Sequence, residues 1–91
     1  SGPVHLVIVG SAEHPQTKKL LRAALKTYVP YRVVQSLDPG QDRERIAALG
    51  FPATNEPSLY AGMNNMCLAP IRSAREVSKL PVVRPWAATS H

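Results

Sequence analysis

The sequence predicts one α/β domain, and three observations carry that expectation. Val4-His5-Leu6-Val7-Ile8-Val9 is a short, nearly continuous apolar run closed by Gly10. Val4, Leu6 and Ile8 fall on one face and Val7 and Val9 on the other, the pattern of a strand buried on both sides near the centre of a sheet. From Pro15 to Tyr28 the apolar period changes to that of a helix, and Arg32 to Leu37 then reads as a second strand. The 91 residues suffice for one modest core and no more. Apolar residues at 44 % and charged residues at 19 % give the balance of a folded globular chain.

The loop Ser11-Ala12-Glu13-His14 follows the first strand, and Pro15 suits the first turn of a helix, where its missing N–H has no partner to lose. Within that helix Leu21, Leu25 and Tyr28 recur at i, i+4 and i+7, with Leu20 and Ala24 beside them, which predicts an inward face. Lys18, Arg22 and Lys26 line the opposite side, and Pro30 stops the helix. The second strand ends at Asp38-Pro39-Gly40, a strong turn signal. A short helix from about Gln41 to Leu49 is expected to bury Ile46 and Leu49, with Gly50 as its C-cap.

After an irregular stretch from Phe51 to Pro57, Ser58 to Ala61 reads as a third strand and Gly62 to Asn65 as a turn. Met66 to Ala69 returns as a fourth strand that ends at Pro70, because proline cannot donate to a ladder. Ser73-Ala74-Arg75-Glu76 is a capping box: Ser73 caps the Glu76 amide and Glu76 reaches back. The helix it opens carries Val77 and Leu80 inward until Pro81. Residues 1–80 thus form the domain, and 81–91, with Trp86 but no period, form a tail.

The order β-α-β-α-β-β-α makes the first two strands parallel and the last two antiparallel. That is the element order of a thioredoxin-like fold, with a mixed four-stranded sheet and helices on both faces. Pro57 stands where that fold carries a cis-proline next to its active site. The alternative, a Rossmann- or flavodoxin-like three-layer sheet, needs a helix between the last two strands, and the sequence has no residues for one.

Several segments, taken in order, carry a family resemblance: Val7-Ile8-Val9-Gly10, His14-Pro15 with Thr17, the Leu20 to Leu25 helix running into Tyr28-Val29-Pro30, Pro57-Ser58-Leu59-Tyr60, Cys67-Leu68-Ala69-Pro70 and Glu76-Val77. The set resembles the C-terminal end of thioredoxin-domain proteins of the DUF255 group, which includes bacterial relatives of the spermatogenesis-associated thioredoxin-like protein. The resemblance covers residues 4 to 80. It implies a parent with an N-terminal thioredoxin-like domain, then an α/α-toroid similar to sugar epimerases and six-hairpin glycosidases, then this segment. Redox cysteines and sugar-acting carboxylates would belong to the other parts. Where the family often ends the third strand in a cysteine, this chain has Tyr60-Ala61-Gly62, so only Cys67 of that pair is present.

The residues themselves exclude some chemistry. One cysteine, Cys67, permits no internal disulfide and no CxxC pair, which fits a reducing cytosol and a cytoplasmic location. Nothing beside Cys67 in sequence lowers its pKa, so a buried, inert thiol is the plain reading. His5, His14, His91 and Cys67 match no zinc spacing, and neither metal nor cofactor is expected. No apolar run is long enough for a membrane span, and Ser1-Gly2-Pro3 lacks the pattern of a signal peptide. The abrupt ends read as those of an excised piece, with Ser1 a cloning remnant.

Three candidate surfaces are left. The loop of Gly10, Ser11, Glu13 and His14 lies at the carboxyl end of a strand and the N-terminus of a helix, where α/β sheets bind ligands. A solvated loop is the simpler alternative, since no nucleophile partners His14. Lys18, Lys19, Arg22 and Lys26 form a basic face, which a solvated helix also explains. Phe51, Glu56 and Pro57 mark a proline loop that, with Leu59, offers a peptide-docking ledge, or else a turn that sets the start of a strand. The net charge of +5 suits phosphates, nucleic acid or an acidic partner, although no nucleic-acid module signature accompanies it. The function expected is that of a non-catalytic accessory domain, redox-inactive for want of a CxxC, whose partners are other domains of its parent. The alternative is a small anion- or nucleic-acid-binding module.

Overall fold

A computed structural model describes residues 4–27, 32–52, 56–63, 66–67 and 70–78. Their order is β1 (Val4–Val9), α1 (Pro15–Leu25), β2 (Arg32–Leu37), α2 (Arg43–Ala48), β3 (Ser58–Met63), β4 (Met66–Cys67) and α3 (Ala74–Ser78). The sheet is mixed, in the order β2-β1-β3-β4. β1 runs parallel to β2, from Val4 opposite Arg32 to Val9 opposite Leu37, and antiparallel to β3, from His5 opposite Gly62 to Val9 opposite Ser58. β4 adds a two-residue antiparallel pairing, Gly62 with Cys67 and Met63 with Met66.

A strand with neighbours on both edges and helices on both faces leaves its middle no surface for polar side chains, which is why β1 is apolar and buried on both faces from Leu6 to Val9, with His5 exposed before them. Leu6 and Ile8 pack with Leu59, Ala61, Leu20, Ala24 and Val77 beneath α1 and α3. Val7 and Val9 pack on the other face with Leu37, Ile46 and Tyr60 beneath α2. Each fully buried leucine or isoleucine contributes about 1.5–3 kcal/mol relative to exposure.

The inward face of α1 differs from the expected one. Thr17, Leu20 and Ala24 are buried, Leu21 is half-buried and Leu25 is 53 % exposed. The helix is turned roughly 60° toward Thr17, because the threonine methyl group belongs to the apolar stripe at i, i+3 and i+7. α1 also ends at Leu25 with Lys26 as C-cap, and Tyr28 lies outside the described residues.

α2 is shorter than expected: Gln41 lies in the turn, its amide bonded to the Asp38 carbonyl at 2.9 Å, and Asp42 is the N-cap. Leu49, expected to be buried, is 51 % exposed, because it is the C-cap residue, where the chain turns away from the core. Gly50 does close the helix, at φ 84°. The Gly50 amide bonds Ala47 O at 3.0 Å and the Phe51 amide bonds Ile46 O at 3.1 Å, a Schellman motif with Phe51 and Ile46 in one apolar cluster.

β3 runs on through Met63, past Gly62 where the sequence suggests that the turn begins, and residues 64–65 lie outside the described part. Ile71 bridges Leu59, with N–H···O distances of 2.7 and 2.9 Å in the two directions. The N-cap half of the capping box forms, Glu76 N–H donating to Ser73 Oγ at 3.2 Å, and Glu76 reaches back to the Ser73 side chain, whose Oγ–H donates to Glu76 Oε1 at 3.2 Å. Leu68, Ala69, Leu80, the tail with Trp86, and His91 lie outside the described residues, as does the Cys67 side chain. Among the described residues no helix is long and apolar enough to cross a membrane.

Candidate functional site

β1 and β2 are parallel and end side by side, so their following loops meet at one edge of the sheet. The Gly10 amide continues the ladder by bonding Leu37 O at 2.9 Å. From there Ser11 to His14 leads into α1, and Asp38 to Asp42 leads into α2.

The Asp38 carboxylate ties the two loops together. Its Oδ2 accepts the Ala12 N–H at 3.1 Å and its Oδ1 accepts the Gly40 N–H at 2.8 Å. The Asp38 N–H donates in turn to Asp42 Oδ2 at 2.9 Å. These amide bonds, Ala12 first and Gly40 second, outweigh desolvation and hold the Asp38 carboxyl below the ordinary aspartate range. A depressed folded pKa contributes stability above the unfolded value and loses it as pH falls through the folded one. Acid unfolding monitored by far-ultraviolet dichroism is therefore expected to begin below about pH 4. Asp38→Asn should flatten the part of that limb due to Asp38, while leaving stability near neutral pH lower than in the wild type.

At the start of α1, His14 is the N-cap, extended at φ −73° and ψ 128°, and its Nδ1 accepts the Gln16 N–H at 3.0 Å. That bond places the imidazole proton on Nε2. His14 N–H bonds Ser11 O at 3.0 Å, and Glu13 N–H bonds Ser11 Oγ at 3.4 Å. The amides of Ala12, Glu13, His14 and Gln16 are thus committed to acceptors within the chain. A fixed carboxylate stands beside them. Such a loop does not favour an anion, although Ser11, Glu13 and His14 are exposed. His14 would also have to give up its capping bond to act as a base through Nδ1.

Beneath the loop, Gly10 is buried against the first turn of α1 and the residue before β3. A Cβ added to Gly10 would collide with Thr17 Oγ1 and lie 2.9 Å from Pro57 Cβ. Thr17 is 2 % exposed and its Oγ1 has no hydrogen-bond partner. An unpartnered buried hydroxyl is a standing cost, so Thr17→Val is expected to stabilise the fold by about 1 kcal/mol in urea titration.

The proline loop is not an open ledge. Pro57 and Leu59 are buried, with Leu59 in the cluster beneath α1. Phe51 lies on the opposite face, its ring centroid 4.6 Å from that of Tyr60. The alternation of side chains along β3 separates the two faces. There is no cis peptide bond among the described residues, so Glu56 and Pro57 are joined in trans, unlike the cis-proline that a thioredoxin-like fold carries at this place. Glu56 is exposed, and its carbonyl accepts from Ser58 Oγ at 3.2 Å.

On α1, Lys18, Lys19, Arg22 and Lys26 are all exposed, and the helix contains no acidic residue. Arg32, at the start of β2, donates from Nη2 to Leu25 O at 2.8 Å and holds the end of α1 beside the sheet edge. Arg72 donates from Nε to Ser58 Oγ at 3.4 Å, and its carbonyl accepts Gln16 Nε2 at 2.6 Å. The two ties of Arg72 join segments 14 and 56 positions apart in sequence, so no local pattern announces them. No group of three or more His, Cys, Asp or Glu among the described residues could hold a metal ion. Comparison with protein-family models, with curated proteins and with solved structures finds no match to this chain.

Proposed function

We propose that this chain is a redox-inactive, thioredoxin-like accessory domain that packs on, or recognises, another part of a larger thioredoxin-domain protein in the cytoplasm. The carrying observation is the junction of β1 and α1. A thioredoxin-like domain holds its reactive thiols there, and here the position is occupied by Ser11, Ala12, Glu13 and His14, with the Ala12, Glu13 and His14 amides bonded internally and His14 used as a helix cap. The tuned thiolate of disulfide exchange needs a cysteine at that helix N-terminus and a second to resolve it. The sheet order, with β3 alone reversed, supports the thioredoxin-like part of the reading. The trans bond at Pro57 departs from that fold's usual pattern.

The test uses the parent protein. Ser11→Ala with His14→Asn, which keeps a capping side chain, should leave thiol–disulfide exchange by the parent unchanged. A loss of about tenfold or more, the scale of a removed acid–base group, would make the junction catalytic and end this reading. A second reading, binding of phosphate polymers, is favoured by the exposed, acid-free basic face of α1. It requires a steep loss of affinity with salt.

A further inference from the structure

We propose that the outer edge of β2 docks an extended segment of a protein partner, added as a strand, in which acidic and apolar side chains alternate. The proposal rests on the accessory-domain reading and names its surface and the chemistry of its partner. Among the described residues β2 pairs only with β1, so one row of its backbone N–H and C=O groups has no ladder partner. Exposed edges are usually blunted by proline, lysine or a bulge. β2, reading Arg32-Val33-Val34-Gln35-Ser36-Leu37, has no proline, no lysine and an unbroken register.

The flanks of that edge define the partner. Val34 packs in the cluster beneath α1, so Arg32 and Val34 face the α1 side, while Val33 and Gln35 face the other. On the α1 side, Arg22, Leu25 and Lys26 stand at i, i+3 and i+4 on the last turn, all exposed, and the Arg32–Leu25 bond brings this turn beside β2. On the other side Val33 is 44 % exposed. A strand laid along β2 would therefore meet Arg32 and the cationic last turn of α1 on one face, at the start of β2, and Val33 on the other. Backbone bonds supply affinity in such an addition, and the flanking side chains supply specificity.

Charge separates the possible occupants. A second copy would bring the same cationic edge, on a chain of net charge +5, against itself. A phosphate polymer satisfies the cations but neither pairs with the β2 backbone nor covers Val33 and Leu25. An acidic, apolar protein strand does all three.

The test is a nuclear magnetic resonance titration of the labelled chain with a short peptide alternating Glu and Val, its Lys–Val counterpart, and single-stranded DNA. The Glu–Val peptide should shift and protect the amides of Arg32 to Leu37. The Lys–Val peptide should bind at least about tenfold more weakly. Val33→Lys should weaken the Glu–Val peptide by about tenfold with dichroism unchanged. The pair R22E and K26E should exchange the preference between peptides, which an unfolded variant cannot do. Equal binding of both peptides, shifts confined to other strands, or DNA binding that Val33→Lys strengthens would each overturn the proposal. Titration with the parent protein lacking this domain separates the two readings. Binding that Val33→Lys leaves intact overturns the β2 edge and spares the accessory reading. No binding by the wild type overturns the accessory reading, and the peptide result then decides the edge alone.

Discussion

Leu20→Ala is expected to destabilise the domain by about 2–5 kcal/mol, the range for truncating a fully buried leucine. Leu20 is 0 % exposed and joins α1 to Ile8 and Leu6 of β1, to Leu59 of β3 and to Val77 of α3. A domain of this size has roughly 5–15 kcal/mol of stability in all, so the change removes much of it. Leu25→Ala is the control: the same chemical change, one turn on, at a residue 53 % exposed, should stay within about 0.5 kcal/mol. Urea titration of both variants checks the orientation of α1. Equal losses would mean that the helix faces the sheet as its leucine spacing alone suggests.

Gly10→Ala is the second large effect, expected to cost about 1–3 kcal/mol by overpacking. The added methyl would collide with Thr17 Oγ1 and approach Pro57 Cβ at 2.9 Å and Pro57 Cα at 3.2 Å. One neighbour is a side chain on α1 and the other is the start of β3, so relief requires two elements to shift. Thr17→Ala added to Gly10→Ala should recover part of the loss, because it removes one collision and leaves the other. Thermal unfolding of the two variants would show it, and complete recovery would mean that Pro57 gives way freely.

Much of the fold is legible in local sequence because local physics decides it. β1 announces itself by apolar residues on both faces, Gly50 by its place after the last apolar position of α2, and Ser73 and Glu76 by the spacing of a capping box. What escapes is set by residues distant in the chain. Leucines at 21 and 25 outvote a threonine at 17 in any count of apolar residues, yet Thr17 is buried beside Gly10, which has no Cβ to displace it. Likewise Asp38 reads as a turn residue, and nothing near it foretells that its carboxylate holds Ala12, 26 positions away. The candidate site divides the same way. The exposure of Lys18, Lys19, Arg22 and Lys26 follows from helical spacing, whereas the bond that commits the Ala12 amide to Asp38 appears only when two loops meet. The proline loop misleads because strand alternation sends Phe51 and Leu59 to opposite faces.

The measurement that tests the central claim most directly is a titration of this chain, at low and at high salt, against the remainder of the larger thioredoxin-domain protein proposed as its parent. Micromolar or tighter binding that high salt weakens but does not abolish is the predicted result, since apolar contact and strand pairing are screened little and only the contribution of the exposed cations is lost. No binding to the parent, together with binding to RNA or DNA that collapses as salt rises, would contradict the account and make the basic face of α1 the functional surface.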